Sequence, residues 1–323
     1  METFRLIHLS DLHFDTGTRG HSPSLVEDVA EWVYNRCQDA DAPVDAIVIT
    51  GDLADYGGRD ALELAHRFVH SPPAPASDPF GAPYVNADYE ATLAANGLPI
   101  FLLPGNHDRW DRRKQWGWVG AGNTTFDQVF HSDWPSGHNG VYPFPPLQRG
   151  QEQLQVIGAD ACLPGTEYAS PLRNPGSVMG QGYAPQPTID RLVAASAVAR
   201  HRGRAFLWAI HFPPFFYPYD WRVWKIALRL RREKQVAHAA TAADVPLMLT
   251  GHTHEQRHYQ VKNTATSPWV QCAGCCGKPT GDVNTSVHIV ELDVEVGQVI
   301  GQARVRNWRY DGSEFNEDDP GPL

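Results

Sequence analysis

The chain has 323 residues, 27 basic and 37 acidic side chains, a net charge of −10 and 42% hydrophobic residues. It is too long and too apolar for a disulfide-stapled miniprotein or a disordered chain, and long enough to bury a large core. The acidity argues against broad nucleic-acid binding, no apolar run approaches the roughly 20 residues of a membrane span, and five cysteines fit a reducing cytoplasm better than a disulfide framework.

In chain order, Met1 leads straight into a strand-like segment, Phe4 to Leu9, without the features of a secretory leader. A short apolar run ending abruptly in polar, metal-competent residues then recurs: LIHLSDLH (Leu6 to His13), AIVITGDLAD (Ala46 to Asp55), PIFLLPGNHD (Pro99 to Asp108), AFLWAIHFPP (Ala205 to Pro214) and VPLMLTGHTH (Val245 to His254). Continuous apolar runs bounded by Gly and Pro predict buried strands. Between them, Val26, Val29, Ala30, Val33 and Cys37 keep helical spacing, and Arg59 to His70, Asn86 to Asn96, Thr188 to Arg202 and Trp221 to Ala243 predict further helices. Strands alternating with helices imply crossovers and a largely parallel central sheet, whose C-terminal edge gathers the polar strand ends. Val270 to Ala273, Val287 to Leu292 and Gln298 to Trp308 predict a second, more antiparallel sheet. Residues 1–310 read as one domain with insertions at about 71–85, which is proline-rich, and 109–150, followed by an acidic tail, 311–323.

The strand ends carry Asp11 and His13, Asp52, Asn106 and His107, His211, and His252 and His254. Carboxylate oxygen and imidazole nitrogen in one place suit first-row metals better than Ca²⁺ or Mg²⁺ alone. A mononuclear zinc site needs three protein ligands. Setting one histidine aside for catalysis still leaves a surplus, which two metals sharing a bridging carboxylate absorb. The glycines Gly51, Gly105 and Gly251 precede the ligands and permit tight strand-to-loop turns.

The ordered pattern D-x-H, G-D-x-x-D, G-N-H-D, H and G-H-T-H, each block after an apolar strand, resembles that of the calcineurin-like metallophosphoesterases from Leu6 to about His258. The resemblance implies an α/β fold, a four-layer α/β/β/α sandwich of the calcineurin-like type. It implies that Asp11, His13 and His254 hold one metal ion and Asn106, His211 and His252 a second, with Asp52 bridging. The ions would be divalent or trivalent, with manganese, iron or zinc the leading choices. His107 would stay unligated as the catalytic imidazole, and Asp55 would be the carboxylate that orients it. The implied chemistry is hydrolysis of a phosphoester by a metal-bridged hydroxide. The blocks look like those of small bacterial members, which points to a phosphodiesterase acting on a small organic or nucleotide-like molecule. The alternatives are a phosphomonoesterase or protein phosphatase-like enzyme, a DNA nuclease, or a non-catalytic scaffold on the same fold.

Other features read more plainly. Arg109, Trp110 and Arg112 open an Arg- and Trp-rich stretch beside His107, which reads either as a lid whose cations hold substrate phosphate and whose indoles stack on a flat group or as a solvated loop anchored by its tryptophans; the three are candidate substrate-binding residues. Cys272, Cys275 and Cys276 read as small buried strand and turn residues. The aromatic cluster from Phe212 to Trp224 reads as an anchor for a helix beginning near Trp221, and Arg229 to Lys234 as its solvated face. His66 and His70 read as surface residues of a helix, and His8 as a core residue.

Overall fold

The computed structural model describes residues 1–15, 23–71, 91–110, 124–162, 181–215, 229–261, 268–277 and 285–318. Two sheets face each other. The first contains β1 (Glu2–Leu9), β2 (Ala46–Ile49) and β3 (Ile100–Leu102), which run parallel. It continues on the other side of β1 through β13 (Ser286–Glu295), β15 (Arg304–Tyr310) and β16 (Phe315–Asp318), all antiparallel, with β14 (Gln298–Val299) paired to β13. The second sheet has a parallel centre of β6 (Glu152–Ala159), β8 (Ala205–Ile210), β10 (Leu247–Thr250) and β12 (Trp269–Cys272). Its antiparallel margins are β4 (Val141–Pro143) and β5 (Leu147–Arg149) on β6, and β11 (Arg257–Gln260) on β12.

The layering follows from alternation along the strands. In β8, Ala205, Leu207 and Ala209 join one core cluster while Phe206, Trp208 and Ile210 join another. The first cluster holds the space between the sheets and also takes in Val26, Val29 and Val33 of helix α1 (Pro23–Cys37) and Leu62, Ala65 and Phe68 of α2 (Arg59–His70). The second packs the outer face of the second sheet against Ile189 and Leu192 of α4 (Gln186–His201) and Val236, Ala237 and Ala240 of α5 (Glu233–Ala242). Helix, sheet, sheet and helix stack as the expected sandwich. Each fully buried large apolar side chain contributes roughly 1.5–3 kcal/mol.

Several expectations need correction. The polar strand ends come from both sheets, with β1, β2 and β3 in the first and β8 and β10 in the second. Strand β12 belongs to the parallel part of the second sheet, and the later C-terminal strands extend the first. The first follows from the parallel pairing of β12 with β10, and the second from β13 pairing with β1, from Glu2 with Val294 to His8 with His288. Leu230–Arg231 forms a short strand, β9, on Gly182–Tyr183, β7, so the helix starts only at Glu233 and Arg229 to Arg232 precede it. Within 109–150, of which 111–123 lie outside the described residues, Phe126 and Phe130 from around the short helix α3 (Thr125–Val129), and Trp134 after it, are fully buried. Of the helix expected at Asn86 to Asn96, the described part is a 3₁₀ turn, Leu93–Asn96, closed by Gly97 in the left-handed conformation at φ 64°. The proline-rich stretch at 72–85 and the predicted helix start at 221–228 lie outside the described residues.

The interior of the first sheet holds a histidine with a defined tautomer. His288 Nδ1–H donates to Asn307 Oδ1 at 2.6 Å, and its Nε2 accepts from the Gly274 N–H at 3.3 Å. A second ring proton would meet that N–H head-on, and burial already lowers the pKa of His288 to about 4. Between about pH 6.5 and 4 the unfolded chain therefore takes a proton that the native state refuses, and stability falls as pH falls. The expected loss is on the order of 3 kcal/mol over that window. Unfolding midpoints measured across it with a chelator present should decline less steeply for His288→Asn than for wild type; identical slopes would contradict this account.

Candidate metal centre

The loops that follow the five strands meet at the sheet edges. Asp11, His13, Asp52, His252 and His254 all adopt left-handed backbone with φ between 51° and 73°. For non-glycine residues that conformation costs roughly 1–2 kcal/mol each, and it persists where the surroundings impose it, often at functional sites. The loops crowd one another closely. A side chain on Gly105 would run into the backbone and carboxylate of Asp52, and one on Gly251 into Ser10 and Asp11.

Each buried carboxylate divides its labour. Asp11 Oδ2 accepts the His252 N–H at 3.0 Å, leaving Oδ1 at 3.2 Å from His254 Nε2 and 3.8 Å from His13 Nε2. Asp52 Oδ1 accepts the His107 N–H at 2.8 Å, and Oδ2 lies 3.3 Å from His211 Nε2. One oxygen fixes the loop while the other faces the cluster. His211 Nδ1–H donates to the Thr50 carbonyl at 2.6 Å, turning Nε2 toward Asp52 and toward Asn106 Oδ1 at 3.1 Å. His13 Nε2 and His254 Nε2 face each other at 2.9 Å.

These contacts form two adjoining groups. Asp11, His13 and Asp52 bring ligand atoms within 4.8 Å of one another, as do Asp52, His211 and His252, so Asp52 belongs to both. His254 joins the first group and Asn106 the second.

A divalent cation fits this donor set. Asp11 Oδ1 is buried with no hydrogen-bond partner among the described residues, and the inward atoms are acceptors aimed at one another. Burial lowers the pKa of His13 to about 4 and of His252 to about 3, which keeps their lone pairs available. At His211 burial also disfavours charge, but Asp52 and Asp11 outweigh it and raise the pKa to about 9. That carboxylate field draws in positive charge, whether a proton or a metal ion.

His107 sits at the mouth, its side chain 20% exposed, with Nε2 at 4.0 Å from Asp52 Oδ2. Its Nδ1–H donates to the backbone carbonyl of Asp55 at 2.8 Å. The Asp55 carboxylate is farther from that ring nitrogen, at 3.8 Å, and nearer His13 Nδ1, at 3.4 Å. The orienting bond expected from the Asp55 side chain thus comes from its main chain, because the loop bond Asp55 N–H to the Phe14 carbonyl swings the carboxylate toward His13.

The three residues expected to touch substrate part company. Trp110 lies at the site, its ring centroid 5.7 Å from that of His107. Arg109 does not reach it. Its guanidinium is 1% exposed and binds both oxygens of Asp127 at 2.7 Å and Asp160 Oδ2 at 2.9 Å, inside the fold. Buried carboxylates hold an arginine against the desolvation cost of leaving it unpaired, so a structural ion-pair network captures this side chain. Arg112 lies outside the described residues.

Two residues at the site were not foreseen. Asp108, the last letter of G-N-H-D, accepts backbone N–H bonds from Gly105 at 2.8 Å, Leu53 at 3.2 Å and Ala54 at 2.8 Å. It ties the Asp52 loop to the Asn106 loop, and the sequence signal that could have found it is its place as the last residue of G-N-H-D, directly after His107. Cys275 is buried as expected but lies against the first group, its Sγ within 4.8 Å of ligand atoms of His13 and His254 and donating to the Asp11 carbonyl at 3.1 Å. The aromatic cluster contributes Phe212, buried with its ring 4.5 Å from that of His252.

Comparison with known proteins agrees with this picture. Residues 4–256 match the model of the calcineurin-like phosphoesterase family. A curated relative from Rhodococcus erythropolis (strain PR4), named as a probable cyclic nucleotide phosphodiesterase, is 24% identical over 90% of this chain and 74% of its own length. Among solved structures, purple acid phosphatase PPD1 from yellow lupin superposes with a TM-score of 0.57 at 12% identity, over 98% of this chain and 53% of that one. GAP50 of the Plasmodium inner membrane complex gives 0.53 at 10% identity, covering 98% and 88% of the two chains. Among the described residues no helix is long and apolar enough to cross a membrane.

Proposed function

Because the chain belongs to the calcineurin-like phosphoesterase family and is a metal-dependent phosphoric ester hydrolase, we propose that it cleaves phosphodiesters of small, nucleotide-like molecules. In this reading Asp11, His13 and His254 would hold one metal ion, Asn106, His211 and His252 would hold another, and Asp52 would be shared by both. When bound, such a pair supplies Lewis acidity to phosphoryl oxygens and makes water a competent nucleophile near neutral pH. The chain's own groups do the rest. Asp11 and Asp52 anchor the loops through their backbone-facing oxygens, which keeps the inward oxygens in place as charge develops. Hydrolysis forms a bond from water oxygen to phosphorus and breaks the bond to the leaving alkoxide. His107 Nε2 delivers a proton to that oxygen, with Nδ1–H held by the Asp55 carbonyl, and regains one from solvent at its exposed edge.

The observation that carries the diester reading is the divergence of Arg109 and Trp110. A monoester dianion calls for extra cationic groups; of the Arg109 to Lys114 stretch only Arg109 and Trp110 are among the described residues, and there Arg109 is sequestered by Asp127 and Asp160 while Trp110 offers a flat ring beside His107. The curated relative's name supports the same class. With Mn²⁺ supplied, bis-p-nitrophenyl phosphate and cyclic nucleotides should be hydrolysed with kcat/KM at least about tenfold above that for p-nitrophenyl phosphate. Preference for the monoester by a similar factor would overturn the diester reading.

A further inference from the structure

A second cluster of metal-competent side chains lies away from the centre. His66 and His70 stand one helical turn apart on α2, so their rings share a face, with centroids 4.6 Å apart. Asp133, in the turn after α3, completes the group: its Oδ1 lies 3.1 Å from His70 Nε2, and one ligand atom from each of the three residues falls within 4.8 Å of the others.

We propose that His66, His70 and Asp133 form a third metal site, taking one borderline divalent cation such as Zn²⁺ and clipping α2 to the turn that follows α3. The donor set is two imidazole nitrogens and one carboxylate oxygen, the combination zinc accepts in three-ligand sites, with a fourth position left to water. Tetrahedral zinc at 2.0–2.1 Å from its ligands sets neighbouring ligand atoms roughly 3.3 Å apart. The His70–Asp133 distance already meets that, and small side-chain rotations bring in His66. The site is preorganised on three sides. The helix fixes the spacing of the two rings, Phe130 backs them with its ring 5.3 Å from His66 and 6.4 Å from His70, and Ser132 Oγ donates to Asp133 Oδ2 at 3.2 Å, leaving Oδ1 turned toward His70.

A simple ion pair between His70 and Asp133 accounts for two of these residues and leaves His66 unexplained. A shared cation engages both rings, since each presents a ring nitrogen within reach of the Asp133 carboxylate. Burial and the neighbouring His70 lower the pKa of His66, in keeping with a neutral ring. His70 keeps 32% of its side chain exposed, so an ion can enter from solvent. The consequence is mechanical: α2 starts just after the Asp52–Asp55 loop, and the turn at 130–134 follows the helix bearing Asp127, the partner of Arg109.

The test is zinc stoichiometry of the full chain, wild type and variants equilibrated against one common buffer of fixed free Zn²⁺. Wild type should carry one zinc per chain more than His66→Gln, His70→Gln or Asp133→Asn, each of which should retain phosphoesterase activity. Equal zinc in wild type and His70→Gln, or full zinc in His66→Gln, would overturn the proposal. A second measurement needs no variant. Modification of the wild-type chain by diethyl pyrocarbonate, read by peptide mass spectrometry, should fall at least about tenfold at His66 and His70 when zinc is added. Unchanged labelling of these two would overturn the proposal equally.

Discussion

Replacing Asp52 with alanine is expected to remove both metal binding and turnover. Its carboxylate is the side chain common to the two groups, since the Asp11–His13 and His211–His252 clusters each include one of its oxygens. The other work of that carboxylate is structural: Oδ1 holds the His107 N–H at 2.8 Å, so the substitution also releases the loop that carries the catalytic imidazole. Without it, His211 loses its nearest counter-charge, and of the two carboxylates that raise its pKa only Asp11 remains. Elemental analysis of the purified variant should show loss of both ions from the centre, and turnover of bis-p-nitrophenyl phosphate should drop by at least about 10³-fold. A variant that kept its metal and more than a tenth of its rate would show that Asp52 does not join the two groups.

His107→Ala should separate binding from chemistry. The ring is held through Nδ1 by a main-chain carbonyl, and its Nε2 stands 4.0 Å from Asp52 Oδ2, at the exposed mouth beyond the inward-facing donors. Metal content should therefore match wild type, while kcat falls by roughly 10²–10⁴-fold, the usual contribution of a positioned general acid. The loss should depend on the leaving group. It should be large for a cyclic nucleotide, whose alkoxide needs a proton as it departs, and smaller for p-nitrophenyl esters, whose leaving group is stable as an anion. An equal loss for both, or a loss of metal, would assign His107 a different role.

Some of this was legible in the sequence, for a specific reason. Buried parallel strands end at a common edge, so a motif placed just after an apolar run is already located in space. That is why residues as distant as Asp11 and His254 could be expected together, and the structure places them 3.2 Å apart. What pairing decides between segments was not legible. The five strands divide between two sheets through pairings that local sequence does not name, and β1 is flanked by β13, from near the opposite end of the chain. Short-range reading also merged Arg229 to Arg232 into a helix, because the strand β9 exists only through its partner at Gly182–Tyr183.

At single residues the limit was side-chain direction. Arg109 and Trp110 are adjacent, and nothing local says that one turns inward to Asp127 and Asp160 while the other stays beside His107. The orienting role expected of the Asp55 carboxylate fell to its carbonyl for the same reason: composition names the donors and acceptors, but loop geometry chooses among them. Likewise, His66 and His70 looked like ordinary helix-face residues until the fold brought Asp133 beside them.

Anomalous diffraction from crystals of the manganese-loaded chain tests the account at its centre. It should reveal two peaks about 3.5–4 Å apart, one beside Asp11, His13 and His254, the other beside Asn106, His211 and His252, with Asp52 between them. A lone peak, or a pair that Asp52 does not touch, would contradict it.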